Sequence, residues 1–310
     1  MIRYQAPRFL FNRHVETIYP ALFRRVPDIN YQRERIFTSD GDFLDLDWVR
    51  NGSDKVVIIS HGLEGNTQRA YVKGMAKAFS QKGIDTLAWN YRGCSEEMNR
   101  QLRFYHSGAT DDLDAVVQHA VHHYQQVFLV GFSLGGNLTL KYVGERGGQI
   151  HQKIKKAAAF SVPIDLHSSC LQISQPENWL YTKRFLNSLE KKVVAKSKVM
   201  DGLNLSHFSK IKTLMDFDEY YTAPLHGFSG AIDYYQRCSA IQFLHQIKIP
   251  TLLVNAQNDP FLSKECFPRS VNNPMFTFEA PSHGGHVGFS LFNKSGLYWS
   301  ELRATEFING

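Results

Sequence analysis

The chain has 310 residues, 43% of them hydrophobic and 21% charged, the balance of an ordinary globular protein with material for one large α/β domain or two smaller ones. Its formal net charge of +6 comes from dispersed positives, apart from "KIKK" (153–156) and "EKKVVAKSK" (190–198). No nucleic-acid motif accompanies them, so nucleic acid is not an expected partner; the runs read as solvated helix faces, with weak contact to a membrane surface as the other role such stretches serve.

In chain order, "RERIFTSDGDFLDLDWV" (33–49) predicts two strands about a "SDGD" turn, the alternation in "FLDLDWV" marking one buried face. Short apolar runs follow at 55–60, 86–91, 127–132, 156–162, 251–256 and 276–280. Helical spacing fills the gaps: "YVKGMAKAFSQKG" (71–83) ends on a capping glycine, and "TDDLDAVVQHAVHHY" (110–124) opens with Thr110 as N-cap and acids in its first turn. Apolar strands alternating with helices predict an α/β fold, a mostly parallel sheet covered on both faces, with the opening hairpin as an antiparallel edge. The rhythm breaks between 164 and 247, where three aromatic-rich helical stretches replace strands; within a single domain spanning 1–310, that span reads as a helical cap inserted between core strands.

No apolar stretch approaches the roughly 20 residues of a membrane span. "MIRYQAPRFLFNRH" lacks the uninterrupted apolar core of a secretion signal, and Cys94, Cys170, Cys238 and Cys266 show no framework spacing. The expectation is a cytoplasmic protein with reduced thiols.

The chemistry begins where the strand "VFLVGF" meets "SLGG". Gly131-Phe132-Ser133-Leu134-Gly135 fits G-x-S-x-G, between a buried strand and a helix, the context in which a serine is presented on a sharp strained turn. A serine hydroxyl needs a base, and the base an orienting carboxylate, in the chain order serine, acid, histidine. Asp259 stands just past the strand "TLLVNA", and "PSHGGHVGF" follows the strand "FTFEA". The two histidines of that segment, His283 and His286, have no further Cys or His at metal-ligand spacing, so no metal is expected. Gly284 and Gly285 lead into His286, as a tightly turned loop threading a base into a cleft requires; His283, soon after Pro281, shapes the loop. Asp165 is a rival acid whose other reading is an N-cap, and Glu279 lies inside a strand. Oxyanion donors would be the backbone N–H of Leu134, after the serine, and of Leu63 in "SHGLEG" (60–65), where His61 and Glu64 tie the loop down.

"SHGLEG", "NYRGCSEEMNRQLRFYHSGATDDL" (90–113), "GFSLGGN" and "HGGHVGF", in this order and with the early "RHVETIYP" (13–20), resemble the α/β-hydrolase superfamily and, more narrowly, its YheT-like (AB hydrolase 4) group. The resemblance implies an α/β-hydrolase fold and a serine esterase acting on carboxylic esters without a cofactor, with Ser133 as nucleophile, Asp259 as acid and His286 as base. Acyl transfer or thioester cleavage on the same residues is an alternative. A non-catalytic scaffold of this fold that binds a small molecule is another. "HSGATD" (106–111) also fits the H-x4-D spacing of acyltransferases, which a capping role for Asp111 explains. The acyl-binding face would come from aromatic and aliphatic residues of the cap, with Trp179, Leu180, Phe185, Leu186, Phe217, Tyr220 and Tyr221 as candidates, and Lys191, Lys192, Lys196 and Lys198 would be the residues meeting a membrane.

Overall fold

A computed structural model describes residues 3–268 and 270–310. The apolar runs become the strands β1 (Gln32–Phe37), β2 (Phe43–Val49), β3 (Lys55–Ser60), β4 (Asp85–Asn90), β5 (Gln126–Phe132), β6 (Ile154–Phe160), β7 (Thr251–Val254) and β8 (Phe276–Glu279). They form one sheet in the order β1-β2-β4-β3-β5-β6-β7-β8. The β1–β2 hairpin and the β2–β4 pair are antiparallel, and every other neighbouring pair is parallel.

The central strands are apolar on both sides because both faces are covered. In β3, Val56 and Ile58 join one core while Val57 and Ile59 join the other. The first core packs against α3 (Thr110–His123) and α4 (Leu134–Arg146) through Leu113, Val117 and Leu138. The second packs against α2 (Ala70–Ser80) and the last helix, Trp299–Asn309, through Met75, Phe79 and Trp299. Each such side chain, fully removed from water, contributes about 1.5–3 kcal/mol of transfer free energy.

Several boundaries differ from the sequence expectation for physical reasons. The strand expected at 156–162 starts at Ile154 and stops at Phe160, because Ser161 turns to a φ of 53°. Thr110 does not cap α3: Ala109 holds that position, and the Thr110 hydroxyl donates to Glu145 at 2.9 Å instead. The helix expected to end on Gly83 closes at Ser80, with Gln81 as cap and Gly83 (φ 70°) in the turn beyond it.

Between β6 and β7 there is no strand among the described residues. The segment runs through α5 (Leu166–Ile173), α6 (Trp179–Ser197), α7 (Leu214–Phe217), a π turn at Asp218–Thr222, α8 (Ala223–Leu225) and α9 (Ala231–Cys238). The basic run on α6 is not the solvated face expected of it. Lys196 is fully buried and donates to Asn99 Oδ1 at 2.7 Å and to the carbonyls of Gln101 (2.7 Å) and Arg103 (3.0 Å), over the Phe104 ring. Lys192 is partly buried in an ion pair described below. Only Lys191 and Lys198 of the four remain outside, which removes these lysines as a membrane-facing patch.

The loop that Lys196 grips is anchored underneath by Arg92. Its guanidinium donates to Asp112 at 2.7 Å and to Asp42 and Asp40 at 2.9 Å, and both Asp112 and Asp42 are buried. Replacing Arg92 with Met would leave buried Asp42 without its ion-pair partner and buried Asp112 with only Arg103 at 4.0 Å. Arg92→Met is expected to cost about 3–5 kcal/mol, read as a lowered urea midpoint against wild type.

Candidate active site

Ser133 occupies the junction of β5 and α4 with φ 53° and ψ −119°, a conformation that disfavours any side chain. Neighbouring strands and the new helix hold it there. Its N–H donates to Phe160 O at 3.0 Å, and its carbonyl accepts from Gly136 (2.9 Å) and Asn137 (3.0 Å). A side chain at Gly135 would run into the carbonyl oxygens of Ser60 and His61, so only glycine lets the end of β3 pack on the first turn of α4.

The loop after β8 brings His286 to this serine. His286 Nε2 lies 2.9 Å from Ser133 Oγ, and Nδ1 lies 2.8 and 3.1 Å from the two carboxylate oxygens of buried Asp259. The carboxylate accepts, so the ring proton sits on Nδ1 and Nε2 accepts from the serine hydroxyl. Asp259 also accepts the Phe261 N–H at 2.9 Å, and the Phe261 ring lies 4.2 Å from that of His286, centroid to centroid. The rival acids are engaged elsewhere. Asp165 caps α5 by accepting the Ser168 N–H at 2.9 Å, and Glu279 pairs with Arg303 at 2.7 Å. His106 and Asp111 are likewise apart in role: the ring of His106 packs on His226, while Asp111 pairs with Arg103 at 2.8 Å.

The residues that hold the histidine loop were not singled out from the sequence. Helix α1 (Arg13–Phe23) presents buried Glu16 and Thr17 to it. Glu16 accepts the Gly284 N–H at 2.5 Å and contacts His283 Nδ1 at 3.0 Å. Thr17 Oγ1 accepts the His286 N–H at 2.9 Å, and Ser161 Oγ accepts that of Val287 at 2.8 Å. Gly285, at φ 55°, lies so close to Glu16 and Thr17 that no side chain fits between them. The signal available was "RHVETIYP" itself, a polar Glu-Thr pair inside an otherwise amphipathic helix.

Loop 61–65 lies on the other side of the serine. Leu63 and Leu134 both face the cavity that Ser133 and His286 share, and a side chain at Gly62 would sit 3.2 Å from Ser133 Cβ. His61 is buried, which drives its imidazole down to about 3; it stays neutral, with Nδ1 2.8 Å from Gly62 O. Glu64, at φ 51°, accepts from Tyr105 OH (2.7 Å), Ser188 Oγ (2.5 Å) and Lys192 Nζ (2.6 Å). Burial alone would raise its carboxyl, but the Lys192 ammonium and these hydroxyls outweigh it and hold Glu64 below the ordinary value. Two of the three donors come from α6, so the helical stretch is tied directly to the loop beside the serine.

Between this site and α5–α9 lies a cavity of about 150 Å³. Of the wall residues expected from sequence, Phe185, Phe217 and Tyr221 line it. Trp179, Leu180, Leu186 and Tyr220 do not: Trp179 and Leu180 point outward, and Leu186 and Tyr220 pack within the helical stretch. One carboxyl interrupts the lining: burial pushes Asp218 up to about 6, against donated hydroxyls from Thr222 (2.5 Å) and Tyr235 (2.7 Å).

A mostly parallel sheet whose fifth strand ends in a strained serine, met by a carboxylate-bound histidine after the last strand, defines an α/β-hydrolase. Solved structures agree on the fold. An esterase of Pyrococcus furiosus, Pf2001, superposes with a TM-score of 0.62 over 92% of this chain and 96% of its own, at 19% identity. Residues 51–269 match the Hydrolase_4 family model, described as serine aminopeptidase, S33, and the chain belongs to that family. Its relatives include YheT of Escherichia coli (strain K12), provisionally named an esterase, 32% identical over 90% of this chain and 84% of YheT. Phospholipase ABHD3 of Bos taurus is 29% identical over 88% of this chain and 70% of its own. Monoacylglycerol lipase ABHD2 of Bos taurus is 27% identical, over 96% and 77% respectively. No helix among the described residues is long and apolar enough to cross a membrane.

Lys192→Met leaves Glu64 buried without its cation and is expected to destabilise the protein by about 3 kcal/mol or more. The loss has a defined pH window. Because the folded-state pKa of Glu64 is depressed, the pair stabilises fully above the unfolded value of roughly 4.3, and its contribution fades as pH falls through the lower folded value. Thermal melts of variant and wild type should therefore differ most near neutrality and converge in acid.

Proposed function

We propose that the protein is a serine hydrolase of carboxylic esters, with Ser133 as nucleophile, His286 as base and Asp259 as its orienting acid. The observation that carries this is the unbroken series Ser133 Oγ, His286 Nε2, His286 Nδ1 and Asp259, linked at 2.9 Å and 2.8 Å beside a largely apolar cavity. The Ser133 hydroxyl attacks the ester carbonyl carbon while its proton passes to His286 Nε2. The Leu63 and Leu134 N–H groups donate to the resulting oxyanion. The tetrahedral intermediate collapses with the alkoxide leaving, protonated by His286, and an acyl-Ser133 remains. Water, deprotonated by the same imidazole, then attacks the acyl carbon, and as the second intermediate collapses the acyl–Ser133 bond breaks, His286 returns the proton to Ser133 Oγ and the acid leaves.

The helical stretch 164–247 acts as a cap within one domain, and its Phe185, Phe217 and Tyr221 form part of the acyl-binding wall. The relatives named as phospholipase and monoacylglycerol lipase favour an ester with a hydrophobic acyl chain over the peptide bond that the family's description suggests. An alcohol or thiol that outcompetes water at the acyl-enzyme would make the same residues an acyltransferase, and a thioester would be cleaved by the same steps. A purely binding role is disfavoured because all three residues are present and hydrogen-bonded.

A fluorophosphonate probe should label wild type and fail on Ser133→Ala; equal labelling of both would remove Ser133 as nucleophile. Turnover across a series of acyl esters of increasing chain length is expected to peak and then fall as the chain outgrows the cavity. His286→Ala and Asp259→Asn should each lower kcat/KM by several orders of magnitude, on the order of 10⁴-fold for the asparagine variant. His283→Ala should lose far less, because His283 meets the loop through Glu16 and not through Ser133.

A further inference from the structure

The outer side of α1 carries an apolar surface that the proposed chemistry does not use. Phe9, Phe11, Leu22, Phe23 and Phe292 are each more than half exposed. Phe9, Tyr19, Phe23 and Phe292 form one patch: Phe9 packs on Phe292 (5.2 Å between centroids) and on Tyr19 (5.5 Å), and Tyr19 on Phe23 (5.2 Å), while Phe11 and Leu22 stand next to it in sequence. Clustered exposed aromatics of this kind are costly in water and mark a surface that something covers.

The charges around the patch state what covers it. Arg3, Arg8, Arg25 and Lys294 are exposed, and no carboxylate pairs with any of them among the described residues. The acids nearby are already matched: Glu301 with Arg24, Asp28 with Lys77 and Glu177 with Arg13. Arg25 and Lys294 flank a shallow cleft beside Phe292, with Asn293 and Tyr298 on its walls. Aromatic side chains ringed by unpaired cations, with a cationic cleft at the edge, are complementary to an anionic lipid surface, where rings enter the headgroup boundary and cations meet phosphates.

We propose that this face docks on an anionic lipid bilayer. The surface leads toward the candidate active site. The Arg13–Glu177 ion pair at 2.7 Å and the contact of His14 with Tyr181 at 3.2 Å seat the start of α6 against α1. There Trp179 and Leu180 are also more than half exposed. Tyr181 packs on Phe261 (4.7 Å), which covers His286. The inner side of α1 holds the histidine loop while its outer side meets the bilayer.

The test is co-sedimentation of the full chain with phosphatidylcholine vesicles, with and without phosphatidylglycerol. Wild type should bind the mixed vesicles on the order of tenfold or more tightly than the neutral ones, and lose that preference in high salt. Phe11→Ser/Phe23→Ser/Phe292→Ser should abolish vesicle binding, and Arg8→Gln/Arg25→Gln/Lys294→Gln should weaken it by on the order of tenfold or more on mixed vesicles only. Turnover of a short soluble ester and the melting temperature serve as fold controls and should stay at wild-type values in both variants. Equal binding to neutral vesicles, no binding, or unaltered binding by the variants would overturn the proposal. So would sedimentation velocity showing a wild-type dimer that the triple Phe variant dissolves, since the occupant would then be a second copy. A protein that cleaves soluble ester but ignores vesicles refutes the docking surface alone; one that binds vesicles but cleaves no ester refutes only the hydrolase reading.

Discussion

Holding Ser133 at φ 53° costs roughly 1–3 kcal/mol, and the surrounding structure has to supply that locally. It does so with the backbone of three elements at once: β6 accepts the serine N–H through Phe160 O, α4 donates to the serine carbonyl, and the end of β3 closes over Gly135. These contacts are possible only because β3, β5 and β6 lie side by side in parallel, each ending at the same edge. Parallel pairing in turn requires crossovers covered by helices, which is why both faces of the sheet are apolar. The geometry at one hydroxyl and the architecture of the whole sheet are therefore a single requirement.

The histidine depends on a different arrangement. Its loop after β8 has little regular structure, so its rigidity is borrowed from neighbours. Thr17 and Ser161 take two successive amides of the loop, and Glu16 takes another. Asn255 serves the acid's loop in the same way, accepting the Val162 N–H at 2.7 Å and donating to Cys266 O at 2.8 Å. An N-terminal helix and the loop after β6, far apart in sequence, thus define where an imidazole stands to within the length of a hydrogen bond.

These facts explain what was legible in the sequence. The strands could be read because alternating polarity and short apolar runs are local, although the alternation of β2 did not mark a single buried face: its Asp45 and Asp47 are buried too, held by Arg35 and Arg33 of β1. G-x-S-x-G could be read because steric strain imposes glycine at fixed offsets. Asp259 and His286 were legible as candidates because each lies on the loop that follows a strand. The roles of Glu16, Thr17 and Ser161 could not, since nothing local distinguishes a polar side chain that will be buried 120 or more positions away from one that stays in water. Lys192 and Lys196 failed for the opposite reason: basic spacing on a helix looks solvated until the partner loop's carbonyls and carboxylate are known. Three of the seven cap candidates line the cavity and four do not, because composition shows that the 164–247 stretch is aromatic but not which turn of each helix faces inward.

The link between Glu64 and α6 has a consequence for the chain's modularity. An insertion between two strands is in principle dispensable, and trimming it to a short turn would be expected to leave an intact sheet. Here excision would strip Glu64 of an ammonium and a hydroxyl, leaving its carboxylate with the Tyr105 hydroxyl alone of its three side-chain donors, on the loop beside Ser133. A minimal scaffold engineered from this protein would therefore need Glu64 replaced by a neutral residue at the same time. The two parts of the chain cannot diverge independently.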